Sequence, residues 1–235
     1  MSDAPVRGNC TRKDDASARR REELLSAAAK VFARNGYPGT EVQEVAAACG
    51  LAKGTVYLYF PSKEELFLAT VDRAMIRLCH HAREACTGID DPLDRLAAGV
   101  RSYFAFFQSN PEIAELLIIE RAEYRDRKTP TYLEHKRENT KDWQEVYAGL
   151  IRDGRFRDVP VERISRVVSD LLYGTMFTNH FFSGGQRSPD DQARDVLDIL
   201  FEGLLTPAER EKRNGTRRED VKDKPQIVTG PHGSE

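Results

Sequence analysis

Between residues 40 and 63 the chain reads TEVQEVAAACGLAKGTVYLYFPSK, a stretch that combines cations, hydroxyls, phenols and bare backbone. Lys53 and Lys63 offer ammonium groups, Thr40 and Thr55 hydroxyls, Tyr57 and Tyr59 phenols, and Gly54 leaves the main chain uncovered. Such a set can hold phosphate oxygens and read base edges. It does not pair a nucleophile with a base, and the chain carries no nucleophile elbow, phosphate-binding loop or metalloprotease helix. No catalytic residue is assigned, and the chain is not read as an enzyme. Gly54 is the most informative of these positions. A glycine early in a helix costs about 1 kcal/mol relative to alanine, so its presence signals close approach by something to the backbone.

The elements that position these groups follow from the pattern of apolar residues. Thr40 is placed to cap a helix whose inner face is Val42, Val45, Ala46 and Cys49; Gly50 allows a sharp turn, Leu51 fills the corner, and a second helix begins at Ala52 or Lys53. Val56 and Phe60 then face inward with Leu66 and Phe67, leaving Lys53, Thr55, Tyr57 and Tyr59 to solvent. This arrangement is a helix-turn-helix. In the preceding helix Leu24, Leu25, Ala28, Val31 and Phe32 form one apolar stripe opposite Arg20, Glu23, Lys30 and Arg34.

Further along, helix starts recur without strand signals. Ser62 with Glu65 forms a capping box, and Asp91-Pro92, Asn110-Pro111 and Ser188-Pro189 each set a capping side chain before a proline at the first helical position. These boundaries predict helices over 17–34, 40–49, 53–59, 63–87, 92–109, 111–124, 131–153, 161–183 and 189–205. The predicted fold is all-α: an N-terminal three-helix helix-turn-helix domain (17–62) followed by a larger helical ligand-binding and dimerisation domain (63–206). Residues 1–16 are expected to be a disordered basic arm and residues 207–235 a disordered tail.

Composition narrows the partners. The chain has 235 residues, 40% hydrophobic and 31% charged, and a formal net charge of −2, which excludes coating nucleic acid by bulk electrostatics and leaves only a local basic surface. Arg7, Arg12, Lys13 and Arg19 to Arg21 supply such a cluster, diluted by Asp14 and Asp15. No apolar run approaches the roughly 18 residues of a membrane span, and no apolar segment follows a basic start, so a cytoplasmic location without a membrane partner is expected. Cys10, Cys49, Cys79 and Cys86 show no C-x-x-C spacing, and no disulfide is expected. Cys79, His80, His81 and Cys86 include no i,i+4 pair, so one helix cannot close a metal site from them; neither metal nor cofactor is assigned.

Residues 161–205 carry apolar side chains over more than one stripe, among them Val167, Leu171, Met176, Phe182, Val196 and Ile199, with Gly174 in mid-helix. So wide a face predicts a homodimer through this region. The middle helices are rich in aromatics. Phe104, Phe107, Trp143, Tyr147 and Phe177, with Asn179 and His180 as polar fixing groups, are the candidate wall of a cavity for a small apolar or aromatic ligand.

KGTVYLYFPSKEEL, together with Gly36-Tyr37 and Thr40, resembles the DNA-binding signature of the TetR/AcrR family of bacterial regulators over about residues 20–68. The resemblance implies double-stranded operator DNA as partner, with Lys53, Gly54, Thr55 and Tyr57 at the major groove and Tyr59, Lys63 and Thr40 on phosphates. It also implies a dimer built from the last two helices. Where the family often has Ser or Thr this chain has Ala52, which removes a hydroxyl cap and phosphate donor. The implied function is a repressor released from its operator by a small molecule; an inducer-free architectural or protein-gated DNA-binding factor is the alternative.

Overall fold

The computed structural model describes residues 9–181 and 187–213, with side chains from residue 15 onward. In chain order its helices are α1 (Asn9–Gly39), α2 (Val42–Ala48), α3 (Lys53–Tyr59), α4 (Lys63–Cys86), α5 (Pro92–Ser109), α6 (Pro111–Glu123), α7 (Thr131–Arg152), α8 (Val161–Phe181) and α9 (Pro189–Leu204). A short helix, α10, follows at 207–213. The only extended pairing among the described residues is the isolated bridge of Phe156 to Leu205.

Two expected boundaries are corrected. The arm expected to lack structure over 1–16 is helical from Asn9, since the sequence has no glycine or proline between Gly8 and Gly36 to stop the helix growing towards the N-terminus. Residues 1–8 lie outside the described part. The tail expected from 207 begins instead with α10, which is pinned by a charge contact that local composition cannot reveal. Arg155 donates to Asp91 at 2.7 Å and to Glu209 at 2.9 Å, and Glu209 is buried. Residues 182–186, the end of the helix predicted over 161–183, and residues 214–235 lie outside the described residues.

Of the five predicted caps, Thr40, Ser62, Asp91, Asn110 and Ser188, three form. Ser62 Oγ accepts from Glu65 N at 3.0 Å, Asp91 from Leu93 N and Asp94 N at 2.8 and 3.1 Å, and Ser188 Oγ from Asp191 N at 3.1 Å. Asn110 does not cap α6. Its amide donates back to Phe106 O at 2.7 Å and its oxygen accepts from Arg77, so it closes α5 instead. The corner of the helix-turn-helix is a Schellman turn: Gly50, at φ +66°, donates to Ala47 O at 3.0 Å and Leu51 N to Ala46 O at 2.9 Å. A side chain at Gly50 would be strained by its backbone conformation alone.

The core runs without a break through the molecule. Leu24, Phe32, Val45, Val56 and Phe67 are fully buried in the small N-terminal part, as the apolar stripes predict. Helix α4 joins both parts: Leu66 and Phe67 belong to that small core, whereas Met75 and Leu78, two to three turns later, pack in the large one. At about 1.5 Å per residue its 24 residues span roughly 36 Å. In the large part α5 packs against α4 on one side and α9 on another, with α7 and α8 completing the shell.

A corner between α6 and α7 is closed by a buried carboxylate. Glu120 is 2% exposed and accepts from Thr131 N at 3.0 Å, Thr131 Oγ1 at 2.7 Å and Arg127 at 2.7 Å. Those bonds hold the start of α7 against α6 and offset the desolvation of the charge.

Candidate nucleic-acid interface and effector cavity

Helix α3 has one buried side chain, Val56, which docks it on the small core. Lys53 and Gly54 are exposed, Thr55 and Tyr59 half-buried, and Tyr57 is 39% exposed, so the predicted surface exists as one face. Ala52 stands at the N-cap with no side-chain bond, in keeping with the missing hydroxyl. Gly54 has no packing reason to be glycine. A Cβ built there meets nothing within 4 Å, and its φ is not positive. Sequence reasoning missed Leu58, which is 84% exposed on the same face.

Thr40 departs from its expected role as a cap. It is 1% exposed, its hydroxyl donates to Gly36 O at 2.7 Å, and the N-cap of α2 is Glu41, without a side-chain cap bond. The reason is Gly36. At φ +71° it bends the chain so that Thr40 turns inward and latches the connection between α1 and α2. Lys63 is half-buried, its ammonium lies 4.7 Å from the centre of the Tyr37 ring, and it donates to Pro38 O at 3.2 Å. An ammonium has three donors, so part of its capacity is still free for phosphate.

Tyr37 connects this face to the large part of the molecule. Its ring meets Phe67 at 5.3 Å and Tyr124, at the end of α6, at 5.5 Å, while Tyr124 also stacks on Phe67 at 5.7 Å. Burial first, then the neighbouring Tyr37 phenol, pushes the Tyr124 pKa well up, so the hydroxyl stays protonated.

A cavity of about 750 Å³ lies between α4, α5, α7 and α8. Its wall is mostly apolar, with Met75 and Leu78 from α4, Val100 from α5, Trp143 from α7 and Val168 and Leu172 from α8. Near the apolar surface Tyr103 and Tyr132 share a hydrogen bond at 3.2 Å, and burial raises both phenols far enough to keep their protons. Arg83, Lys136 and His135 also line it; they pair with Asn139, Asp170 and Asp72 respectively.

Of the seven predicted ligand contacts, Trp143 and Tyr147 line this cavity and five do not. Phe104 and Phe107 are buried in the ring cluster around Tyr103, at 5.6 and 5.0 Å. Phe177 packs on Tyr173 at 4.6 Å; Asn179 bonds Gln192 of α9 at 2.6 Å and His180 bonds Glu115 of α6 at 3.0 Å. These five correct the expectation: they hold helices together, because the rotation of α5 and α8 turns them away from the cavity. The α4 wall was missed, and so was Gly99. A Cβ at Gly99 would stand 2.6 Å from the Trp143 ring, so the indole lies against bare backbone. A mid-helix glycine in an apolar stretch was the available signal.

Cys79 and Cys86 line the cavity, with thiols pushed up by burial, and His80 pairs with Glu84 at 3.2 Å. No group of three or more His, Cys, Asp or Glu is placed to hold a metal among the described residues. No helix there is long and apolar enough to cross a membrane.

Comparison with known proteins agrees with both halves. Residues 24–70 match the family described as bacterial regulatory proteins, tetR family, and residues 89–204 match the tetracyclin repressor-like C-terminal domain. The HTH-type transcriptional repressor KstR2 of Rhodococcus jostii is 29% identical over 205 residues, covering 83% of this chain and 96% of that protein. The structure of the ketosteroid transcriptional regulator KstR2 of Mycobacterium tuberculosis aligns with a TM-score of 0.59 at 25% identity, over 80% of this chain and 95% of the other. FadR from Bacillus subtilis, solved in complex with stearoyl-CoA, aligns with a TM-score of 0.64 at 19% identity, over 77% and 98%. With a helix-turn-helix face, a larger helical domain and family matches over both, the chain belongs to the TetR family and is a DNA-binding transcriptional regulator.

Proposed function

We propose that the chain is a homodimeric repressor whose affinity for a two-fold operator falls when an apolar small molecule enters the cavity between α4, α5, α7 and α8. The observation that carries this reading is the sharing of α4, whose first turns belong to the core beneath the recognition helix and whose later turns form the cavity wall. A ligand that displaces Met75 or Leu78 therefore acts on a rod already anchored at the DNA face. Contacts of Tyr124 with Tyr37 and Phe67 offer a second route through α6. A cavity of this size between the side chains favours the ligand-gated reading over the inducer-free one, which needs only a packed core.

In the bound complex Lys53, Thr55, Tyr57 and Tyr59 face DNA, Gly54 lets the helix approach, and Lys63 neutralises a phosphate. Thr40 acts from behind, by fixing the connection between α1 and α2. Dimerisation uses α8 and α9, where Val167 is 51%, Phe181 62% and Ile199 71% exposed and Gly174 has open space around it. The named relatives suggest ligand classes to try first. One is a ketosteroid regulator and another was solved with stearoyl-CoA; a steroid skeleton and a long acyl chain are both bulky apolar groups that suit a wall of this composition.

Trp143 reports directly on the cavity, being the only tryptophan of the chain. Titration with stearoyl-CoA and with a set of ketosteroids should change its fluorescence, raise the melting temperature and release a bound operator. Because the coupling is reciprocal, saturating operator should weaken the same ligand by the same factor. A ligand that fills the cavity yet binds the free and DNA-bound protein equally would refute the gating.

A further inference from the structure

Leu58 has no structural work in the protein. It is 84% exposed, on a helix whose one fully buried side chain is Val56, and it stands out further than Tyr57, the other exposed large apolar group of α3, at 39%. At about 100° per residue, Leu58 stands roughly 160° from Val56, so it forms the crest of α3, furthest from the core. Gly54 lies about 40° to one side of it and Thr55 about 60° to the other, while Tyr57 and Tyr59 stand about 100° to either side and Lys53 about 140° round. Side chains on a helix lean towards its N-terminus, which lays Leu58 towards the turn where Gly54 has no side chain. A Cβ at Gly54 would meet nothing, so the space there is open to the outside.

This inference rests on the DNA-facing reading of α3 and deepens it. We infer that the Gly54 notch, walled by Leu58 and the Thr55 methyl, takes the C5-methyl group of a thymine in the major groove, making Leu58 a base-reading residue. The crest of a helix in that groove meets base edges rather than phosphates, and the thymine methyl is the apolar group they present. A hydrocarbon crest has no donor or acceptor for the other edges. The flanking lysine and phenols are then the groups that hold backbone.

The test begins with a duplex selected from a random pool by the unmodified full chain. The selected site should carry a fixed thymine in each half. Replacing those thymines one at a time by deoxyuridine removes only the methyl, and binding should weaken by about fourfold for each half-site, the worth of one buried methyl. Leu58→Ala should melt like the parent, because the side chain is exposed, should bind the thymine duplex more weakly, and should no longer distinguish thymine from deoxyuridine. Four results would overturn the inference: a selected site with no fixed thymine; a Leu58→Ala variant that keeps the full deoxyuridine effect; an effect abolished by Thr55→Ser but not by Leu58→Ala; or uniform weakening on all duplexes, which would place Leu58 on the sugar-phosphate backbone. Failure to select any duplex would instead overturn the DNA-facing reading beneath it.

Discussion

At the scale of single residues, the two lysines proposed to face DNA divide by their surroundings. Lys53 is exposed on α3, whereas Lys63 is held between the Tyr37 ring and Pro38 O, so its charge is fixed in place before DNA arrives. Lys63→Ala should lower affinity for all duplexes alike and reduce the salt dependence by about one ion per half-site, with base preference unchanged. Binding isotherms over a salt series check this; a changed base preference with an intact salt slope would contradict it. The types of these residues were legible in the sequence, but their orientations were less so. Thr40 is a good capping residue locally, yet the positive φ of Gly36, four residues earlier, decides that its hydroxyl turns inward. Leu58 went unnoticed because an apolar residue in an amphipathic helix reads as core until the helix is rotated about its buried anchor, Val56. Gly99 makes the corresponding point in the cavity. Gly99→Ala should displace the Trp143 ring, shift its fluorescence and destabilise the fold by about 1–3 kcal/mol, the usual range for an overpacked core. An unchanged emission spectrum would show that the indole does not rest there.

Among the elements, helix boundaries were the most readable, since a cap and a proline are local signals, and Ser62, Asp91 and Ser188 all cap as their types predict. What the sequence concealed is the relative rotation of helices. The aromatics of α5, α7 and α8 look alike in one dimension, but those that line the cavity are chosen by packing angles: Tyr103, Tyr132 and Trp143 line it and Phe104, Phe107 and Phe177 do not. The N-terminus of α5 carries a pH-dependent contribution. Partial burial alone would raise the Asp91 carboxyl, but the Arg155 guanidinium and the Leu93 and Asp94 amides outweigh it and hold the pKa below its usual value. A carboxylate depressed in the folded state stabilises above its unfolded pKa, and that contribution disappears as pH falls through the folded one. Asp91→Ala should therefore cost about 1 kcal/mol at neutral pH, the worth of a cap, and the difference from the parent should narrow as pH falls below the usual carboxylate range. Thermal melts of both proteins across that range measure it; a gap that widened in acid would have the wrong sign.

Across the whole molecule, one short recognition helix reads few base pairs, so specificity requires two copies at a fixed spacing. The exposed apolar groups of α8 and α9 are the surface proposed to pair them, and Gly174 tests it cleanly. Its surroundings in the single chain are open, so Gly174→Leu should leave the monomer fold intact while separating the paired helices and lowering both dimerisation and operator affinity. Sedimentation of the variant beside the parent checks this, and a parent that is a stable monomer at micromolar concentration would refute the dimer. The proposed interface rests on an excess of apolar residues over one stripe; a surface records only that it needs a cover, not which partner supplies it. The most direct test of two paired recognition helices is an anisotropy titration of the selected duplex beside the same duplex with one half-site scrambled. The intact site should bind two chains and hold them at least about a thousandfold more tightly than non-specific DNA, and the scrambled site should lose most of that advantage. Equal affinity for both duplexes, or saturation at one chain per intact site, would contradict the account.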